Sequence, residues 1–264
     1  MFTMDAPKKS DKPVVFKRPV KRSPFQVGKR TQSSYFRSMR GVAKEVMRLI
    51  KGYEPNDILS AEKLKRALYA YSEIIDPWAR YIVRKVLADI ADQDIRAWNE
   101  NSKRMSVALR KEIAETPLGE AYKELMAKNV ALIKSIPIDA AIRVHGLVTE
   151  NLMQSARADE IAKKILETEA ISLNRATLIA RTEVSRASSV LTQTRAQRIG
   201  STSYIWHTSK DLLVRKSHKE MDGREFKWSE PPTLSDGTKT HPGCIYNCRC
   251  YPEPVIPGEL LDLK

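Results

Sequence analysis

The 264-residue chain carries 46 Lys and Arg against 32 Asp and Glu, a formal charge of +14, with 42% hydrophobic and 30% charged residues. That composition supports one or two domains with a real core and excludes a chain disordered throughout. No apolar run approaches the roughly 18 residues a membrane span requires, and the basic, proline-dotted start lacks the apolar stretch of a secretory signal. A sequence pI near 9.7 points to an acidic partner, nucleic acid first and an acidic protein surface second.

Residues 1–40 concentrate the charge. Eleven basic residues (Lys8, Lys9, Lys12, Lys17, Arg18, Lys21, Arg22, Lys29, Arg30, Arg37, Arg40) face only Asp5 and Asp11, beside prolines at 7, 13, 19 and 24. Such a segment buries too little apolar surface to offset its ordering entropy, so a disordered or extended arm is expected. Its alternatives are a solvated tail and an arm that lies on nucleic acid or on a protein. Phe16, Phe25, Tyr35 and Phe36 supply anchors that favour the second, with Lys8, Lys9, Lys12, Lys17, Arg18, Lys21, Arg22, Lys29 and Arg30 as the contact residues. No base-reading motif accompanies them, so DNA binding would be independent of sequence.

From residue 41 to about 200 the texture is helical. Pro55, Pro77, Pro117 and Pro137 fall where helices would start, since proline is tolerated only in a first turn. Trp78, Ile82, Val86, Ile90, Ile95 and Trp98 step by three to five; Leu173, Ala176, Ala180, Val184, Ala187 and Leu191 step by three and four. About six helices are expected, with 173–199 nearly one continuous helix and Gly200 as its C-cap. The fold class is therefore mainly α: a multi-helix body followed by a small, loop-rich α+β module at 201–264.

That module opens with a β-branched and aromatic strand at 203–208 and then alternates turns, Asp222-Gly223 and Asp236-Gly237, with short apolar pieces. About 50 such residues have little core of their own, and local cross-links are expected to hold them. All three cysteines sit in HPGCIYNCRC (241–250), which offers His241, Cys244, Cys248 and Cys250 as zinc ligands, with His218 from upstream as the best addition and His207 behind it. Small buried thiols with a turn histidine are the alternative. An odd number of cysteines disfavours a disulfide scaffold, so a structural zinc is the cofactor to test for.

Two further clusters carry weight. Asp211, Arg215, His218 and Asp222 lie within twelve residues and superficially suggest a metal-dependent nuclease. A strand, a turn and an Asp211–Arg215 ion pair is the simpler reading, because no phosphate loop, H-E-x-x-H or nucleophile elbow accompanies them. On the helix at 173–200, Arg181 and Glu183 flank the apolar stripe and, two positions apart, reach different partners. Together with Trp206, Asp211 and Arg215 they are expected to clamp the module to the helical body.

The order of these segments resembles a known family. IARTEV (179–184), a Gly-ended helix, W-x-T-x-x-D-x-x-V (206–214), the D-G turn at 222–223, and HP with NCRC (241–250) are similar to the phage Mu F-like and SPP1 gp7-like head morphogenesis proteins. NVALIKSIPIDAAIRV (129–144) is similar to a segment those proteins carry upstream, so the resemblance spans roughly residues 120–255. It implies a minor capsid protein of a tailed bacteriophage, a virion protein near the portal vertex that is assembled in the host cytoplasm. Its implied partners are the portal protein and the major capsid or scaffolding protein, with no enzymatic activity. The chain departs from the family where D-x-x-V is followed by C-x-x-C: Arg215 and His218 occupy those cysteine positions. The competing readings are a metal-dependent nucleic-acid enzyme and a sequence-independent DNA-binding protein.

Overall fold

A computed structural model of the chain describes residues 23–52, 58–101, 107–153 and 158–257. Six helices carry the body: α1 (Lys29–Lys51), α2 (Ile58–Ile74), α3 (Asp76–Asn101), α4 (Val107–Ala114), α5 (Gly119–Met153) and α6 (Ala158–Arg198). The module adds β1 (Ser203–His207), the single turn α7 (Lys216–Lys219), β2 (Glu225–Lys227) and β3 (Tyr251–Pro254). The mainly helical class with a small α+β end is as the sequence indicated.

The basic arm is shorter than expected. Residues 29–40 are the first half of α1, because Thr31, Tyr35, Met39, Val42, Ala43, Val46, Met47 and Ile50 repeat by three and four and are all buried. The helix start is tied to α3, where Gln93 Oε1 accepts the Gly28 amide and Gln93 Nε2 donates to Thr31 Oγ1. Lys29 and Arg30 thus stand exposed on an ordered first turn, whereas Lys8, Lys9, Lys12, Lys17, Arg18, Lys21 and Arg22 lie outside the described residues.

Pro137 does not start a helix; α5 runs through it. Proline removes one ladder bond and crowds the preceding turn, about 3 kcal/mol in a helix interior. Burial on both sides outweighs that. Leu125, Val130, Ile133 and Ile136 enter a core with α1, α3 and α6, while Ala140, Ala141, Val144 and Val148 enter a second core with α1 and α2. Ser72 Oγ donates to the Lys134 carbonyl at 3.2 Å, supplying a donor close to the interrupted ladder. Pro77, by contrast, sits in the first turn of α3.

The buried face of α3 is rotated from the stripe read in sequence. Ala79, Val83, Leu87 and Ile90 are buried together with Val86, Asp94 and Trp98, while Trp78 is 37% exposed. The buried row steps by four, with one step of three, from Ala79 through Asp94 to Trp98, and the polar Asp94 hides it from a hydrophobicity pattern. Asp94 accepts from Arg195 Nη1 and from Thr192 Oγ1, each at 2.5 Å, and Arg195 Nε donates to the Ile113 carbonyl at 3.2 Å. One buried ion pair thereby joins α3, α4 and α6.

Helix α6 ends as its glycine predicts. Gly200 has φ +78°, its amide bonds the Gln197 carbonyl, and the Ser201 amide reaches back to Ala196, the paired bonds of a Schellman cap. The chain then enters β1, the centre of an antiparallel sheet ordered β2-β1-β3. Tyr204 and Trp206 share one face of β1 and are fully buried. Pro252 and Pro254 are tolerable in β3 because it is an edge strand.

The module does not rely on a core of its own. Tyr204, Trp206, Met221, Trp228, Leu234, Cys248 and Cys250 form one cluster with Phe25, Trp98, Leu109, Ile113, Ala196 and Ile199 from the body. Phe25 meets Trp98 edge-on at 5.5 Å, so the residues just before α1 close the same core.

Candidate functional site

The middle of α6 is buried nearly all round. Ala180, Val184, Ala187 and Leu191 face the helical core, while Thr182, Ser185, Ser188, Ser189 and Thr192 are also buried. Small hydroxyl side chains on that second side let a backbone approach closely, and the backbone that does so is the 241–250 loop. Ser189 Oγ donates to the Pro242 carbonyl at 2.6 Å, Arg186 Nη2 to the Cys244 carbonyl at 2.6 Å, and the Asn247 amide to Thr182 Oγ1 at 3.1 Å. Arg181 Nη1 reaches Asn247 Oδ1 at 3.4 Å. Asn247 has φ +56°, a left-handed conformation that asparagine tolerates better than most residues.

Gly243 makes the approach possible. Its φ is +82°, and a methyl carbon placed on it would lie 2.5 Å from Ser189 Oγ, 3.0 Å from the Ser185 carbonyl and 3.1 Å from the Cys250 carbonyl. Neither Gly243 nor the Ser/Thr side of α6 was singled out in the sequence. The Pro-Gly dipeptide and the T-E-V-S-R-A-S-S run were the available signals.

The residues expected to clamp the module are placed as follows. Arg181 touches the loop directly. Glu183 does so through Arg186, whose Nη1 lies 2.8 Å from its carboxylate, and Lys128 of α5 approaches the other oxygen at 4.0 Å. Burial pushes the Glu183 carboxyl up to about 7. Trp206 fills the shared core. Asp211 does not pair with Arg215: it accepts from Arg249 Nη2 at 2.8 Å and from the Leu213 amide, while Arg215 Nη2 donates to the Tyr246 carbonyl at 2.8 Å. The chain folds back after α7, so the nearer arginine in space is one 38 positions away. Asp222, offered in the nuclease-like reading, accepts the Thr208 amide and hydroxyl and closes the turn after β1.

Of the five candidate metal ligands, the fold gathers three. His218, Cys248 and Cys250 are all buried, with ligand atoms within 4.8 Å of one another. His218 Nδ1 is 3.4 Å from each sulfur, and the imidazole is held edge-on to Trp206 with ring centres 5.5 Å apart. The Gly243 amide points at Cys248 Sγ at 3.4 Å. The hydrogen bond from Cys250, and then His218, hold the Cys248 thiol below the ordinary range against the effect of burial; Cys250 is raised in turn. His241 is engaged elsewhere, with Nδ1 3.0 Å from the Tyr204 hydroxyl and its ring against Trp228. Cys244 lies outside the three-residue group, and burial pushes its thiol up to about 12.

Two hollows flank this seam. One of about 570 Å³ lies between the start of α1, the middle of α6 and β3, with Lys29, Ser188, His207, Lys210, Arg249 and Glu253 on its walls. The other, about 280 Å³, has Arg181, Arg215 and Arg249 on its walls and His218, Cys248 and Cys250 among its lining.

With this geometry in hand, residues 143–252 match the family described as Phage Mu protein F like protein. An uncharacterized protein of Haemophilus influenzae is 30% identical over 215 residues, 81% of this chain and 44% of that protein. That length exceeds the span of the resemblance read in sequence, so relatedness reaches further along the chain. The minor head protein GP7 of Bacillus phage SPP1 is 26% identical over 158 residues, 56% of this chain and 49% of GP7. A protein named NAD(+)--arginine ADP-ribosyltransferase EFV, from Enterococcus faecalis, is 30% identical over 136 residues, 48% of this chain but 28% of that protein. The chain spans about half or less of the length of each of these relatives. No solved structure matches.

Proposed function

We propose, because residues 143–252 match the Phage Mu protein F like family, that this chain is a minor head protein of a tailed bacteriophage. It acts structurally in head morphogenesis, docked at the portal vertex and in contact with the capsid or scaffolding shell. The observation that carries this reading is the seam on α6. The first and last of the family-like segments, IARTEV and HP with NCRC, meet there, and one loop is fastened to one helix through Arg181, Thr182, Arg186, Ser189 and Gly243. The match to a minor head protein over 56% of this chain supports the same role. The ADP-ribosyltransferase is matched over little more than a quarter of its length, and its named activity is not carried over.

The basic N-terminal segment gives this body a second contact. Seven of its cations precede the described residues, and Lys29 and Arg30 continue the positive charge onto the exposed first turn of α1. A stretch of that density neutralises phosphates without reading bases, which suits packaged DNA passing the portal. The test is capture of assembling heads through tagged portal protein. This chain should co-purify at a low, fixed ratio to portal and persist in finished particles. Heads that mature with the chain absent, or a chain that never accompanies portal, would refute the role.

A further inference from the structure

The three buried donors beside α6 have a property that hydrogen bonding leaves unexplained. His218 is 2% exposed, its Nδ1 faces two sulfurs at 3.4 Å, and its Nε2 has no hydrogen-bond partner among the described residues. An imidazole nitrogen buried without a partner has given up its hydrogen bond to water and gained nothing in exchange. Two thiols closing on the other nitrogen are weak partners for it. Nδ1 and the two sulfurs instead converge on one buried point, where a single cation would engage all three donors at once.

We propose that His218, Cys248 and Cys250 bind one Zn²⁺, and that its fourth position faces the arginine-lined hollow and takes an oxyanion from outside the chain. One imidazole and two sulfurs are a borderline-soft set that suits zinc and disfavours magnesium or calcium. The loop is built to hold them. The Gly243 amide supports Cys248 Sγ, Trp206 fixes the imidazole plane, and the seam on α6 fixes the loop backbone. Tetrahedral zinc needs a fourth donor, and none among the described residues joins the group. His241 is committed to Tyr204, and Cys244 stands apart. What does adjoin the group is a hollow of about 280 Å³ whose walls carry Arg181, Arg215 and Arg249. Arg249 has Asp211 as its carboxylate partner; among the described residues no ion pair occupies Arg181 or Arg215. Positive charge beside an open metal position selects an anionic oxygen ligand, a carboxylate or a phosphate.

Cobalt reports on both halves of the proposal. Full-length protein freed of metal and titrated with Co²⁺ should saturate at one equivalent, with the intense visible bands of a tetrahedral ion and the near-ultraviolet bands of two thiolates. Zinc should displace it and protect two of the three thiols from reagent, leaving one reactive. Cys244→Ser should retain the one-equivalent site, and Cys248→Ser or Cys250→Ser should lose it. Acetate and inorganic phosphate, added separately to the cobalt form, should change the visible spectrum, and whichever acts at lower concentration identifies the class of ligand. Arg215→Gln should leave cobalt binding intact while weakening the anion response at least tenfold. Three thiols that stay fully reactive in wild-type protein saturated with zinc would overturn the site, whatever the folding of the serine variants. Loss of cobalt in Cys244→Ser would overturn the ligand set, and a spectrum indifferent to both anions would overturn the open position.

Discussion

Gly243→Ala is the most informative single change, because two separate costs meet there. The first is conformational: at φ +82° an L side chain costs about 1–2 kcal/mol. The second is steric. A methyl 2.5 Å from Ser189 Oγ forces that side chain away and breaks its bond to the Pro242 carbonyl, about 0.5–1.5 kcal/mol. The Ser185 and Cys250 carbonyls at 3.0 and 3.1 Å cannot swing aside as a side chain can, so the loop must lift, about 1–3 kcal/mol for overpacking of this kind. The expected total is about 2.5–6.5 kcal/mol. Gly237→Ala is the matched control: its φ is +81° with nothing within 4 Å of the added carbon, so only the conformational cost applies. Urea unfolding followed by tryptophan fluorescence, with a common slope, gives both values. In the Gly243→Ala background Ser189→Ala should cost almost nothing further, against about 1 kcal/mol in the parent. The reasoning fails if the two glycine variants agree within about 0.5 kcal/mol.

Asp94→Ala should cost about 3–5 kcal/mol by stranding the Arg195 guanidinium, while Asp94→Leu combined with Arg195→Met should cost far less; equal losses in the two would show that the pair itself is not what matters. The pH dependence of Glu183 follows from its raised carboxyl. Folding disfavours its charged form, so its contribution is neutral below about 4.5 and becomes destabilising as pH rises to about 7. The full shift corresponds to about 3 kcal/mol, which partial solvent access and Arg186 should reduce to about 1–2 kcal/mol. Glu183→Gln should therefore gain stability relative to the parent between pH 5 and pH 8 in thermal melts, and parallel curves would remove the burial argument. Deleting residues 1–22 removes seven cations but keeps Phe25 in its core, so the slope of log affinity for duplex DNA against log salt should flatten by up to about 6. An unchanged slope would assign the segment to a protein partner.

Regular spacing was the legible part of the sequence. The stripe on α6, the glycine that caps it and the aromatic strand after it all follow from local rules, and each stands where those rules put it. Pro137 misled because its penalty is local and small beside the two cores its helix enters. Asp94 misled because a buried charge interrupts an apolar pattern that the backbone continues. Three of the five metal candidates could be separated from the other two only in space. The distinction depends on α7 swinging His218 beside the last two cysteines and on Tyr204 claiming His241, and neither fold-back is written in spacing. The same is true of Arg249, which reaches Asp211 across 38 positions while Arg215, four positions away, turns to a carbonyl.

The aromatic cluster at the junction has a further consequence. Trp98, Trp206 and Trp228 all belong to it, alongside Leu109, Ile113 and Ile199. A boundary drawn at Gly200 from composition is therefore not a place to cut. Proteolysis there would strip the cover from Trp98 and the end of α6 and leave both fragments with an open apolar wound. The C-terminal segment is a keystone rather than a cassette: it could not be traded between relatives without the helix ends it seals, and three of the chain's four indoles should lose their emission shift in a single step when it lets go.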